Sequence, residues 1–290
     1  MSETPGTLAL ASARSFLFVP ANRPERFAKA LASGADAVII DLEDAVAPAD
    51  KCAARQALMQ AFDGIDAAQR HRLLVRINAA GTPWHADDLI ALRELAAHGL
   101  GAVMVSKAES AAVLAEVAAH AGPACALLPL IESVAGLDAL DALAASPRVA
   151  RLAFGHLDFQ ADAGLACDAG ELELVPVRLA LVLASRRAGL AAPVDGISPG
   201  TRDTAQLTLD AARSRRGGFG GKLCIHPAQA EAVNAAFSPG AAEIDWARRV
   251  QAAFDAAGGG VFSLDGRMVD APVVLLAQRT LAQAALHAGG

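Results

Sequence analysis

Residues 127–159 read LLPLIESVAGLDALDALAASPRVARLAFGHLDF, and with Ala126 they hold two apolar runs, Ala126–Ile131 and Val149–Phe154. Each run leads to a carboxylate, Glu132 after the first and Asp158 after the second. Unbroken apolar runs of about four to eight residues suit strands buried on both faces, and Ser133–Ser146 between them is long and apolar enough for a helix. If the two strands are parallel neighbours, both carboxylates lie side by side at carboxyl ends, on the rim where α/β proteins bind ligands. Two hard-oxygen donors there point to Mg²⁺ or a similar ion, with the other positions left to water and substrate. A pair of carboxylates at helix N-termini is the plain structural alternative, since acidic side chains favour the first helical turn.

The same unit recurs along the chain. Ser15–Pro20, Val38–Leu42, Leu73–Ile77 and Ala102–Val105 read as strands before the pair, and Pro193–Ile197 and Gly221–Ile225 as strands after it. Helical stretches follow each, among them Asp50–Gln69, Pro83–His98, Ser110–Ala121, Gly170–Ala188 and Arg202–Arg215. Eight alternations with no break in composition predict an α/β fold, a (β/α)₈ TIM barrel. An open doubly wound sheet would place a glycine-rich phosphate loop after an early strand, and the sequence has none. The predicted strand ends carry Pro20, Glu43 and Asp44, Arg76 and Asn78, Lys107, Glu132, Asp158, Asp195 and His226. In a barrel these converge on one mouth.

The 290 residues carry a net charge of −6 with no Lys/Arg block, and aromatics make up only 4%. That removes the electrostatic and stacking case for nucleic acid or an anionic membrane, and small molecules are the expected partners. Cys52, Cys125, Cys167 and Cys224 are scattered without a paired motif, so they read as reduced thiols. The opening MSETPGTLALAS lacks the pattern of a secretory signal and reads as a short tail, which predicts a cytoplasmic protein. Past the barrel, Ala241–Ala257 reads as a helix, followed by Gly258-Gly259-Gly260, a turn at Asp265-Gly266 and a last helix from about Val273. The expected division is a barrel over 1–236 and a C-terminal helical lid or arm over 237–290.

Seven ordered motifs resemble one family: RSFLFVPANRPERFAKA at 14–30, GADAVIIDLEDAV at 34–46, VRIN at 75–78, LPLIES at 128–133, FGHLDF at 154–159, CIHPAQ at 224–229 and DGRMVDAP at 265–272. The chain is similar nearly end to end to the citrate lyase β-subunit-like and malyl-CoA lyase-like enzymes of the HpcH/HpaI aldolase superfamily. The resemblance implies a Mg²⁺-dependent carbon–carbon lyase or aldolase, with Mn²⁺ as an alternative ion. Its reaction would cleave or form a β-hydroxyacyl-CoA thioester of the citryl-, malyl- or citramalyl-CoA type, giving an acyl-CoA and a 2-keto acid. By that likeness Glu132 and Asp158 hold the metal, Glu132 also borders the substrate, and Glu43 and Asp44 hold water on the metal. Arg76 meets the reacting oxygen, Phe18, Arg23 and Lys29 lie along the CoA or acyl group, and Asp270 is the lid's acid/base. For Asp270 the residues themselves leave an N-cap of the last helix open.

The likeness also implies a homotrimer or homohexamer. His156-Leu157 before Asp158 and Ala21 depart from the commoner family pattern of Gly-Ala-Glu-Asp and Gly; both bear on the acyl substrate and leave the ligands intact. Competing expectations are a CoA-independent pyruvate-type aldolase, an acyl-CoA thioesterase and a non-catalytic acyl-CoA-binding subunit.

Overall fold

The structure, a computed structural model, describes residues 5–201, 203–258 and 260–287. Arg202, where the seventh connecting helix was expected to begin, and Gly259 of the glycine run lie outside the described residues. Eight parallel strands close into a barrel in chain order: β1 Ser15–Pro20, β2 Ala37–Asp41, β3 Leu73–Ile77, β4 Ala102–Val105, β5 Ala126–Ile131, β6 Ala153–Phe154, β7 Val194–Asp195 and β8 Gly221–Cys224. β1 pairs with both β2 and β8, so no strand edge is left open.

The barrel interior is filled by alternate strand residues. Phe16, Ile39, Leu74, Met104, Leu128, Ala153, Val194 and Leu223 pack there as one buried cluster. A parallel sheet wrapped in helices is buried on its outer face too, which is why Val38, Ile40, Val75, Val103 and Leu127 are equally inaccessible.

Three of the structure's corrections to the sequence reading concern the barrel and its approach. The run Val149–Phe154 is not a continuous strand. Val149 makes an isolated bridge to Leu127, and only Ala153–Phe154 joins the ladder. The Arg151 side chain between them turns into the amino end of the barrel, where it donates to the carbonyls of Leu10, Ala13, Ala192 and Pro193.

Second, the helix expected over Ser133–Ser146 is two short ones, Val134–Asp138 and Leu140–Ala144. They meet at Ala139, whose N–H is shared between Ala135 and Leu137 carbonyls. Third, the opening tail contains a helix, Pro5–Ser12, whose Leu10 joins the barrel core.

The chain divides into two compact units, Met1–Asn234 and Ala235–Gly290. The second is built on the helices Ala241–Ala256 and Ala271–His287 and the antiparallel hairpin β9 Phe262–Leu264 with β10 Arg267–Val269. Asp265 and Gly266 both take positive φ, 52° and 73°, as a two-residue hairpin loop of the favoured hand requires. Val250, Val269, Val274 and Ala277 form this unit's own buried cluster. Among the described residues no helix is long and apolar enough to cross a membrane.

Candidate active site

The alternation that fills the barrel also builds its mouth. On β2 the inward positions are Ala37, Ile39 and then Asp41; on β3, Leu74 and then Arg76; on β5, Ala126, Leu128, Leu130 and then Glu132 just past the strand end. One step beyond the last apolar layer, the inner face becomes charged. Asp41 and Arg76 are register partners on adjacent strands. Their side chains form a bidentate pair, Nε to Oδ1 at 2.7 Å and Nη2 to Oδ2 at 2.5 Å. The remaining nitrogen, Nη1, stands 2.8 Å from Glu43 Oε2 and 3.4 Å from Asp44 Oδ2. The guanidinium also lies 4.7 Å over the Phe18 ring. Asp41 was absent from the sequence-based site, although its parity with Ala37 and Ile39 places it on the inner face.

A cavity of about 320 Å³ opens here, lined by Phe18, Asp41, Asp44, Arg76, Glu132 and Asp158, with Phe154, His156 and Ile197 on its wall. Glu132 is buried, and its Oε1 accepts the Lys107 backbone N–H at 2.7 Å. Lys107 adopts a left-handed φ of 43° to present that N–H. Asp158 is exposed in the first turn of the helix His156–Ala163, four residues beyond β6 rather than at the strand end. For Asp158 the helix-terminus reading and the rim reading therefore coexist; at Glu132 the cap is Ser133, whose Oγ accepts from Gly136 N–H.

Asp41, Glu43 and Asp44 thus crowd around Arg76, with Glu132 and Asp158 lining the same cavity, and the effect shows in the titration of Glu43 and Glu132. Burial pushes Glu43 up to about 7, with Arg76 opposing and Asp44 and Asp41 adding to the rise. Burial pushes Glu132 up to about 8, reinforced by the charges of Glu43 and Asp158. Lys51 offsets part of this charge, its Nζ held by the carbonyls of Leu42 and Glu43.

A divalent cation is what such a surplus fits. Among the described residues no three His, Cys, Asp or Glu side chains form a ready-made cage. Two carboxylates with room for water and substrate oxygens are the usual donor set of Mg²⁺, which dehydrates reluctantly. The residues present fit that ion: Asp41, Asp44, Glu132 and Asp158 all line the cavity, and of these Asp41 is taken up by Arg76.

The other expected residues separate. Arg23 and Lys29 follow β1 on exposed positions outside the cavity wall, and Arg23 pairs with Glu25 at 2.6 Å. Asp195 is fully buried and bound to Arg178 and Ser214, while His226 is exposed; neither lines the cavity. The expectation that every strand end faces one mouth is corrected there: Asp195 extends β7 on its outward parity, opposite to Val194 in the core. In the second unit, Asp270 precedes the last helix. Its Oδ1 accepts from Val273 N–H at 3.4 Å and its carbonyl from Val274 N–H at 3.1 Å.

The profile of the HpcH/HpaI aldolase/citrate lyase family matches residues 14–227, most of the chain and all eight barrel strands. The chain belongs to that family. A (3S)-malyl-CoA thioesterase of Cereibacter sphaeroides is 37% identical over 274 residues, covering 93% of this chain and 94% of the relative. A citrate lyase subunit beta-like protein of Deinococcus radiodurans is 37% identical over 281 residues, covering 94% and 97%. Among solved structures, CitE of Mycobacterium tuberculosis in complex with magnesium, acetoacetate and coenzyme A shares 36% identity. It matches with a TM-score of 0.81, over 95% of this chain and 99% of that one. CitE has also been solved with magnesium and pyruvate, at 33% identity and a TM-score of 0.72.

Proposed function

We propose that the chain is a Mg²⁺-dependent carbon–carbon lyase acting on CoA thioesters, joining or releasing an acyl-CoA and a small 2-keto acid at the carboxyl mouth of the barrel. The observation that carries this reading is the cavity where Arg76, Glu132 and Asp158 meet, in a chain so similar to a CitE solved with magnesium, acetoacetate and coenzyme A. Bound Mg²⁺ would supply Lewis-acid polarisation of the keto-acid oxygens and a template for them.

The chain's own residues do the rest. Splitting a β-hydroxyacyl thioester removes the hydroxyl proton, breaks the bond between the α- and β-carbons, and leaves an electron pair on the acyl-CoA fragment as an enolate. Arg76, kept charged by Asp41, Glu43 and Asp44 against the effect of burial, stabilises negative charge developing on oxygen. The proton lost from the hydroxyl is balanced by one that Asp270 delivers to the α-carbon of the enolate, the hydroxyl proton restoring the Asp270 carboxyl, and Glu43 and Asp44 would orient water beside a bound ion.

At about 320 Å³ the cavity suits the acyl group and keto acid, not a whole coenzyme A. The nucleotide end therefore lies outside it, along Arg23 and Lys29, while Phe18 borders the acyl group inside. We assign the barrel over 1–236 to catalysis and 237–290 to a lid. The protein works in the cytoplasm as a homotrimer or homohexamer, a state sedimentation tests directly.

Thioester hydrolysis is the second reading, favoured by the 37% identity to a (3S)-malyl-CoA thioesterase. Acetyl-CoA and propionyl-CoA offered with glyoxylate, pyruvate or oxaloacetate, with Mg²⁺ or with EDTA, separate the two. New β-hydroxyacyl thioester in the Mg²⁺ arm alone supports the lyase. Release of free CoA from malyl-CoA without glyoxylate would assign the hydrolase instead.

A further inference from the structure

Asp158 has no hydrogen bond or ion pair of its own among the described residues, and it is exposed. The direction in which it points is therefore set by the backbone of the helix His156–Ala163. That helix buries only two side chains, His156 and Phe159, one on either side of Asp158. Phe159 packs edge-on against Phe154 with ring centroids 5.7 Å apart. His156 lies tilted against the same Phe154 ring at 6.3 Å and is held by polar contacts as well.

Its Nε2 lies 3.2 Å from Glu171 Oε1. On the other side the ring presses on Gly196, where an added Cβ would stand 2.0 Å from Nδ1. Glu171 is gripped in turn: its Oε2 accepts from Arg178 Nη2 at 2.6 Å and Arg213 Nη2 at 2.7 Å. Arg178 continues to Asp195 at 3.1 Å and covers the Phe154 ring at 5.6 Å. Glu171 also sits at φ 50°, a left-handed conformation that side chains keep only when their surroundings hold them. Burial would raise the Glu171 carboxyl, but His156 and then Arg178 hold it down at about 2, so it is ionised across the working range.

We infer that Glu171 is a positioning residue that clamps His156 against Gly196 and thereby fixes the turn from which Asp158 presents its carboxylate to a divalent cation. The inference rests on the reading of Asp158 as a metal ligand. It assigns a role at the metal to a residue 13 positions away in the chain, in a segment expected to open the helix Gly170–Ala188 but found to precede a helix that starts only at Val175.

The test is Mg²⁺ titration calorimetry on the intact protein without substrate, at a temperature where melting curves show every variant folded. Glu171→Gln, which keeps the shape but not the charge, weakens Mg²⁺ binding by about 10–100-fold, the usual effect of losing a residue that orients a ligand. Gly196→Ala, which displaces His156 from the opposite side, does the same. In turnover, Glu171→Gln needs more Mg²⁺ for half-activation and recovers at saturating Mg²⁺, with KM for the thioester unchanged. A purely structural role would lower Tm and leave the Mg²⁺ affinity alone.

Mg²⁺ binding by Glu171→Gln and by whichever of Gly196→Ala or His156→Asn folds, within about twofold of the unmodified protein, overturns the inference. Asp158→Ala runs in parallel: if it binds Mg²⁺ normally, the metal assignment fails and the inference goes with it. If Asp158→Ala loses Mg²⁺ while the Glu171 and His156 or Gly196 variants do not, only the clamp is wrong.

Discussion

Arg76 is asked to do two things at once. It must neutralise Asp41, to which two of its nitrogens are committed, and it must offer positive charge to the cavity through what remains. A lysine keeps the charge and loses the planar fork, so it cannot hold Asp41 bidentately and face the cavity together. Arg76→Lys is therefore expected to lower kcat by about 10²–10³-fold, the usual effect of losing one preorganised donor to an oxyanion. Steady-state kinetics at saturating Mg²⁺ checks this; a loss confined to KM would mean that Arg76 only binds substrate. At this scale the sequence was partly legible. Glu132 and Arg76 stand out because a charge at the end of an apolar run has few ordinary explanations. Asp41 was hidden inside the run VIIDL, where only strand parity separates an inward carboxylate from an outward one. Glu171 was hidden more deeply, because its partners His156, Arg178 and Arg213 come from three other elements.

Among the elements, the loop carrying Glu171 and the helix Val175–Arg187 behind it give a pH dependence whose sign is fixed. The Glu171 carboxyl titrates at its ordinary value of 4.5 when unfolded and at about 2 when folded. A depressed folded value contributes stability that is present above pH 4.5 and lost as the pH falls toward 2. With the group partly screened by solvent, that contribution is on the order of 2 kcal/mol. Melting curves of the unmodified protein and Glu171→Gln should be well separated at pH 6 to 7, draw together below pH 4.5 and converge only as the pH approaches about 2. A separation independent of pH would show that the ion pairs contribute nothing through charge. The element before the last helix offers a second comparison. Asp270 caps that helix through its side chain, and asparagine caps about as well. Asp270→Asn should therefore leave Tm nearly unchanged while kcat falls by about 10²–10⁴-fold, as expected for an acid/base. Full activity in this variant would reduce Asp270 to a cap.

Across the barrel unit, stability and chemistry occupy different ends. Arg151 closes the amino end. It is fully buried with no carboxylate against it; its donors go to four backbone carbonyls, two of them at the end of the opening helix and just beyond it. Burial pulls its pKa down to about 9, opposed only by the charge of Asp36. Arg151→Met would take this donor from the carbonyls of Leu10, Ala13 and Ala192 inside the core, Pro193 keeping the Gly220 N–H, and should cost about 3–5 kcal/mol in denaturant unfolding. Mg²⁺ affinity in the fraction that remains folded should not change. The eight-fold repeat was legible from the start, because strands buried on both faces leave continuous apolar runs. The opening helix Pro5–Ser12 was not, since PGTLALAS is too short and uniform to declare a buried face before the barrel exists to receive Leu10.

That arrangement bears on how such a protein can change over evolutionary time. The contacts of Arg151 tie together segments that precede β1, β6 and β7, whereas the cavity is assembled from residues at or beyond the carboxyl ends of the strands. Substitutions in the mouth loops can be tried one after another without loosening the seal beneath them. New acyl specificities are thus open to this scaffold by drift in the loops, while its amino end serves as the fixed inheritance.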